Sequence, residues 1–182
     1  MPVESLPPLT VTIPEGVEVH IEKDTVKVKG PLGELSRTFN GRILEVKKKG
    51  DTVEIIPKGA RKFHKAYRGT IAAHIRNMIT GVTQGFKKKM IMVYSHFPMK
   101  IEIDKDRGLI LINNFLGERA PRVAKIVGNV KVYMEGDDKI VIEGINIEEV
   151  GQTAANIRQA TKIKKKDPRV FQDGIYYYPE EV

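Results

Sequence analysis

Near the end of the chain five cations crowd into eight residues: Lys162, Lys164, Lys165, Lys166 and Arg169, opposed only by Asp167. Ammonium and guanidinium groups at that density suit one kind of chemistry, the neutralisation of phosphates with release of their counterions. Pro168 stops any helix there, and beyond it Phe171, Tyr176, Tyr177 and Tyr178 supply flat rings. Such rings stack on unpaired bases or pack back on their own domain, and packing fits Phe171 better than the tyrosines. Lys87, Lys88 and Lys89 make a second basic cluster, and Arg158 precedes the first one on a helix. The residues expected to bind nucleic acid are therefore these three lysines, Arg158, the five cations from Lys162 to Arg169, Tyr176 and Tyr177.

Catalytic chemistry finds no comparable support. His20, His64, His74 and His96 fall on different expected elements without paired spacing, and the chain has no cysteine to complete a metal or nucleophile constellation. They read as ordinary structural histidines. Asp104, Asp106 and Gly108 resemble a fragment of a calcium loop, but the other ligands and the distal glutamate are missing, so a hairpin turn explains them. The turn Gly30-Pro31-Leu32-Gly33 lacks the Gly-Lys-Ser/Thr ending of a phosphate loop. No catalytic residue, metal ligand, cofactor or small-molecule substrate is expected.

Composition is consistent with a binding role. The 182 residues carry a formal charge of +8, which attracts polyanions over long range, and 41% hydrophobic content suffices for packed cores. No apolar run reaches the length needed to span a bilayer, and the start, MPVESLPPLT, has no secretory signature. The expectation is a protein of the cell interior with no membrane association.

The elements that must position these groups are written twice. The helix containing TIAAHIRN, Thr70 to Asn77, returns as GQTAANIRQ, with Ala72, Ala73, Ile75 and Arg76 matched by Ala154, Ala155, Ile157 and Arg158. Before the first helix come two hairpins, VEVHIE with TVKVKG, and RILEVKKK with TVEII, separated by a Leu32-Gly33-Glu34 turn and ELSRTF. About five short strands in one sheet are expected. After the helix, PMKIEI with LILINN, Leu116-Gly117-Glu118, and NVKVYM with KIVIEG follow in the same order. Agreement of hairpin, turn, hairpin and helix argues for internal duplication.

The expected fold class is α+β: two similar domains, 1–83 and 84–162, each an antiparallel sheet packed against one helix, and a basic, aromatic tail from 163 to 182. Met1 to Thr10, with three prolines, is expected to be an extended arm. Phe63, Tyr67, Ile71, Ile75 and Met78 mark the buried stripe of the first helix, and Arg61, Lys65, Arg68 and Arg76 gather on a cationic one. Gly81 and Gly85 should end it. Asn146 and Glu149 have capping-box spacing at the start of the second helix. Gly33 and Gly117, in equivalent places, should each have a conformational or steric role.

The duplicated unit, the LGE turns and the string AANIRQATKIKKKDPRVFQDGIYYY resemble large-subunit ribosomal protein six in its archaeal and eukaryotic form. Bacterial members end instead in a different glycine- and lysine-rich motif. The resemblance spans nearly the whole chain. It implies a non-enzymatic structural component of the large ribosomal subunit in the cytoplasm, with ribosomal RNA and neighbouring ribosomal proteins as partners. RNA is then bound mainly through the second domain and tail, near the region where translation factors hydrolyse GTP. The alternative from the residues alone is a free RNA chaperone or regulator.

Overall fold

The computed structural model describes residues 6–178. The chain divides into two units, Met1–Gly85 and Phe86–Val182. In the first, β1 (Leu9–Thr12), β2 (Glu18–Glu22), β3 (Thr25–Gly30), β4 (Gly33–Thr38), β5 (Leu44–Lys49) and β6 (Thr52–Pro57) precede α1 (Lys62–Thr83). In the second, β7 (Phe86–Val93), β8 (Lys100–Asp104), β9 (Leu109–Asn113), β10 (Arg122–Lys125), β11 (Lys131–Glu135) and β12 (Lys139–Gly144) precede α2 (Ile147–Ala160), and β13 (Gly174–Tyr177) follows it.

The strands of each unit form two antiparallel sheets, not one. The orders are β1-β6-β5 and β2-β3-β4 in the first unit, and β11-β12-β7-β13 and β10-β9-β8 in the second. Replacing β1 to β6 by β7 to β12 maps one set of orders onto the other, so the duplication extends to topology. The hairpins follow from alternation. In β3, Val26 and Val28 are buried while Lys29 is exposed, and in β6, Val53 and Ile55 are buried with half-exposed residues between them.

Each helix closes its unit over both sheets. α1 lays Ile71, Ile75, Met78 and Val82 on β1, β3 and β6, and α2 lays Val150, Ala154 and Ile157 on β7, β10 and β12. Fully burying one aliphatic side chain of this size stabilises a fold by about 1.5–3 kcal/mol, so these stripes hold the layers together.

Several expectations change. Leu9 and Thr10 belong to β1, not to an arm, because regular pairing begins at the first residue after Pro7 and Pro8 and continues against β6. Of the rest of that expected arm, Leu6 to Pro8 have no regular secondary structure and Met1 to Ser5 lie outside the described residues. Gly81 is a buried position inside α1, which runs on to Thr83. Gly85, at φ +76°, ends it, its N–H donating to Thr80 O at 3.1 Å. Phe63 is 49% exposed, off the buried stripe. Arg68 leaves the cationic one: it is buried, and its guanidinium donates to Pro7 O. Asn146 caps α2 through the Glu148 N–H at 3.0 Å, but the Glu149 carboxylate turns away to accept from Asn129 N at 3.3 Å. β10 was not anticipated; only four residues of it form a ladder.

The tail is the largest correction. Its end does not stand apart from the second unit, because β13 adds to the free side of β7, with Ile175 opposite Met92 and fully buried. Removing Lys162 to Val182 would therefore strip a core strand, not trim an appendage.

The two LGE turns are matched in sequence and unlike in shape. Gly33 pairs with Gly30 around a two-residue turn at φ +151°, while Gly117 ends a 3-10 turn at φ +75°, where a Cβ would stand 3.2 Å from the Phe97 ring. Gly30 is tighter still: a Cβ there would fall 2.9 Å from the Val82 carbonyl oxygen and 2.7 Å from its side chain. Overpacking of this kind typically costs about 1–3 kcal/mol. Gly30→Val and Gly117→Val should each lower the melting temperature of the whole chain, Gly30→Val by the larger amount because backbone cannot yield as a ring can. Thermal melts without loss in either variant would remove the steric argument.

Candidate nucleic-acid interface

The basic segment leaves α2 from a fixed point. Thr161 is buried, and its hydroxyl donates toward Ile157 O and Arg158 O at 3.3 and 3.2 Å while accepting from the Ile175 N–H at 3.2 Å. One side chain thus ties the end of α2 to the start of β13. From the other side Arg122 on β10 donates to Ala160 O at 3.1 Å and Lys162 O at 2.7 Å. Its remaining nitrogens form a two-pronged pair with Glu118 at 2.9 and 2.7 Å, and its guanidinium lies 4.5 Å from the centre of the buried Phe115 ring. The Glu118 carboxyl is held below the ordinary carboxylate range, first by hydrogen bonding to Arg122. The glutamate of the second LGE turn therefore aims the arginine that grips the exit of α2.

Between these anchors the chain makes an exposed loop. Lys162, Lys164, Lys165 and Lys166 project from it, with Lys165 in the left-handed region at φ +61°. Arg169 is already engaged: its side chain donates twice to Asp167, at 3.2 and 3.1 Å, and its N–H donates to the same carboxylate at 3.0 Å. These contacts with Arg169, its side chain first, hold the Asp167 carboxyl below its ordinary value. So exposed a pair contributes little to stability, and a phosphate can replace the carboxylate.

Each ring of the tail has a cation on one face. Lys166 lies 4.8 Å from the centre of Phe171, Arg158 4.4 Å from Tyr176, Lys88 4.5 Å from Tyr177 and Lys139 4.8 Å from Tyr178. Phe171 also stacks on His96 at 4.7 Å, as its packing role suggested. Tyr176 is packed as well, its hydroxyl donating to Gln172 O at 2.8 Å, whereas Tyr177 is 44% exposed. The fold thus brings Lys88, Arg158, Tyr176 and Tyr177 from three distant stretches into mixed cation and ring pairs, a connection that spacing along the chain does not disclose.

Lys87 and Lys89 are drawn into ion pairs instead. Lys87 meets Glu143 at 3.4 Å, a carboxylate that also accepts from the Tyr133 hydroxyl at 2.7 Å, and Lys89 meets Glu135 at 3.1 Å. The Tyr133 bond, then Lys87, lowers the Glu143 pKa, and Lys89 does the same to Glu135. β-sheet register accounts for this, since Lys87 is directly opposite Glu143 across β7 and β12. The three neighbouring lysines therefore differ in their partners, two meeting carboxylates and Lys88 the Tyr177 ring.

Asp173 was not singled out in the sequence, yet it fastens the tail. It is 1% exposed and accepts from His96 Nδ1 at 2.9 Å, from the backbone N–H groups of Ser95 and His96 at 3.3 and 3.4 Å, and from Ser95 Oγ at 3.4 Å. Burial alone would raise its pKa, but these donors, His96 foremost, outweigh that and leave it below the ordinary value. Ser95, His96 and Asp173 do not make a hydrolytic triad. The serine hydroxyl and the carboxylate meet the same ring nitrogen, so the imidazole cannot relay a proton between them. Among the described residues no group of three or more His, Cys, Asp or Glu side chains is arranged to hold a metal ion, and no helix is long and apolar enough to cross a membrane.

Comparison with known proteins agrees with the duplication. The sequence profile of the family described as ribosomal protein L6 matches twice, over residues 13–85 and 97–174, one match per unit. A protein of Methanobrevibacter smithii named large ribosomal subunit protein uL6 is 53% identical over 171 residues, covering 94% of each chain. Proteins of the same name from Ignicoccus hospitalis and Methanosarcina mazei are 51% and 48% identical, with coverage of 94% and 94%, and of 92% and 93%, of this chain and the relative respectively.

The Asp173 contacts give a pH dependence of definite sign. A carboxyl whose folded pKa is depressed stabilises the fold above its unfolded pKa, near 3.9, and that contribution is lost as pH falls through the folded value. Asp173→Asn removes a buried charged acceptor from the Ser95 and His96 donors, at a cost of about 1–3 kcal/mol at pH 7. Melting curves of wild type and variant should differ most at neutral pH and converge below about pH 4. A constant gap across that range would show that charge is not what Asp173 contributes.

Proposed function

Because the chain belongs to the ribosomal protein L6 family, we propose that it is a structural, non-catalytic component of the large subunit that binds ribosomal RNA chiefly through its second unit. The carrying observation is the loop after α2. Lys162, Lys164, Lys165 and Lys166 are exposed there on a frame fixed by Thr161, Arg122 and Asp173, and Tyr177 with its flanking cation belongs to the same unit. Preorganised cations neutralise phosphates without first being ordered, and an exposed ring accepts an unstacked base.

In this reading Arg158, Lys88 and Arg169 exchange their present partners for phosphate or base, Tyr176 acts as a support for Arg158, and Lys87 and Lys89 contribute through the field of the sheet. The site faces the part of the subunit where translation factors hydrolyse GTP, neighbouring ribosomal proteins cover other surfaces, and the particle is cytoplasmic. Persistence of the protein with large subunits through a salt wash distinguishes this role from that of a free RNA chaperone, which would be released.

The binding test is a salt series. Replacing Lys164, Lys165 and Lys166 together by Gln should flatten the slope of log affinity against log salt by roughly 2–3, at about 0.7–0.9 per phosphate contact. Tyr177→Ala should keep that slope and weaken binding by about 1–3 kcal/mol if the ring stacks on a base. A triple variant with a native melting curve and the wild-type slope would move the RNA site away from this loop.

A further inference from the structure

The first unit carries a charged surface that the loop does not account for. Between Glu54 and Glu102 the sequence has no Asp or Glu, so α1 lies entirely within a span free of carboxylates. At 100° per residue Arg61, Lys62, Lys65 and Arg76 fall on one side of the helix, and all four are exposed. Among the described residues none of them is paired with a carboxylate or a ring. The cations of the second unit discussed above, by contrast, are largely engaged with Glu, Asp or aromatic partners.

This arrangement costs the helix stability. α1 has no acidic residue in its first turn and no side-chain cap from Arg61, so positive groups stand where the helix dipole is already positive. α2, the same element in the other copy, does the reverse, with Asn146 capping it and Glu148 and Glu149 in its first turn. A local rule kept in one copy and broken in the other, without compensation inside the fold, directs attention to a partner outside it.

Gly69 adds to the case. It lies on the same side, between Lys65 and Arg76, and a Cβ there would meet nothing within 4 Å. Neither crowding nor positive φ requires glycine, which weakens a helix interior. What it supplies is a low point flanked by cations. Gly151 of α2 is equally open but has Glu148 beside it.

We propose that this side of α1 is a second RNA-binding surface, separate from the loop after α2, and that it takes the sugar-phosphate backbone, not the bases. From Lys62 to Arg76 the helix rises about 21 Å at 1.5 Å per residue, enough to follow several successive phosphates. Phe63, the exposed ring of this helix, is 100° around it from Lys62 and farther from the other three cations, so it does not share their side. It also has no large apolar anchor of the kind that fills the centre of a protein interface, which disfavours an acidic protein as its occupant. The inference rests on the reading that the chain binds ribosomal RNA, and it adds a contact that reading does not contain.

The full chain with Lys62→Gln, Lys65→Gln and Arg76→Gln is the direct test, with large-subunit ribosomal RNA freed of protein as the probe. The slope of log affinity against log salt should fall by roughly 2–3, additively with the Lys164, Lys165 and Lys166 variant. Its melting temperature should equal or exceed that of wild type, since the changes at Lys62 and Lys65 relieve repulsion at the positive end of the helix and the change at Arg76, an exposed mid-helix position, is nearly neutral. A wild-type slope in a folded variant overturns the proposal while leaving the loop site standing; loss of effect in the loop variant alone does the opposite. Gly69→Leu should melt no lower than wild type and bind several-fold more weakly, a combination that a structural role would not produce. In the unaltered protein, RNA should slow acetylation of Lys62 and Lys65; equal rates with and without RNA overturn the proposal. So does a triple variant that binds RNA normally yet fails to join large subunits, which would identify an acidic protein as the occupant.

Discussion

The second unit depends on the pairing of β7 along both of its edges. In each copy the first strand joins the last strand before the helix, β1 with β6 and β7 with β12, which closes the unit across its whole sequence. Among the described residues of the first copy, β1 pairs with β6 alone. In the second, β13 occupies the remaining edge, and the exchange of backbone hydrogen bonds removes a row of donors and acceptors that would otherwise invite another strand. The edge of β1 is managed more cheaply, by a strand of four residues preceded by Pro7 and Pro8.

From that pairing the rest of the candidate interface follows. Ile175 is buried because Met92 lies opposite it, Thr161 is buried because it meets the Ile175 N–H, and the lysines between them must bulge outward because both ends of their segment are fixed. Asp173 and Arg122 reinforce the same two ends. The loop is therefore short of freedom before any ligand arrives, which reduces the ordering cost of binding.

The fold was largely legible because alternation and helical period are local properties. Val26 and Val28, or Ile71, Ile75 and Met78, declare their buried faces without knowledge of what covers them. The duplication multiplied that signal, since a weak pattern repeated in order is strong. What stayed hidden was nonlocal. Nothing in GIYY distinguishes a strand that joins β7 from a free aromatic end, nothing in Lys87-Lys88-Lys89 reveals that register puts Glu143 opposite the first of them, and Arg68 looks like its neighbours until Pro7 is brought beside it. The division of one expected sheet into two was likewise a matter of which hairpins pair, which the pattern of single strands does not contain.

The placement of β13 also sets the order in which the molecule can mature as it is synthesised. The first unit is complete in sequence at Gly85, so its closing pair, β1 with β6, and its helix are available while the remainder is still being made. The second unit has no such schedule: the partner for the free edge of β7 consists of residues 174–177, produced after every other described element. Until they appear, Met92 lacks its cover, Thr161 lacks its donor, and the lysine loop is an open strand end. The lysine loop thereby becomes the last described part of the second unit to be fixed at both of its ends.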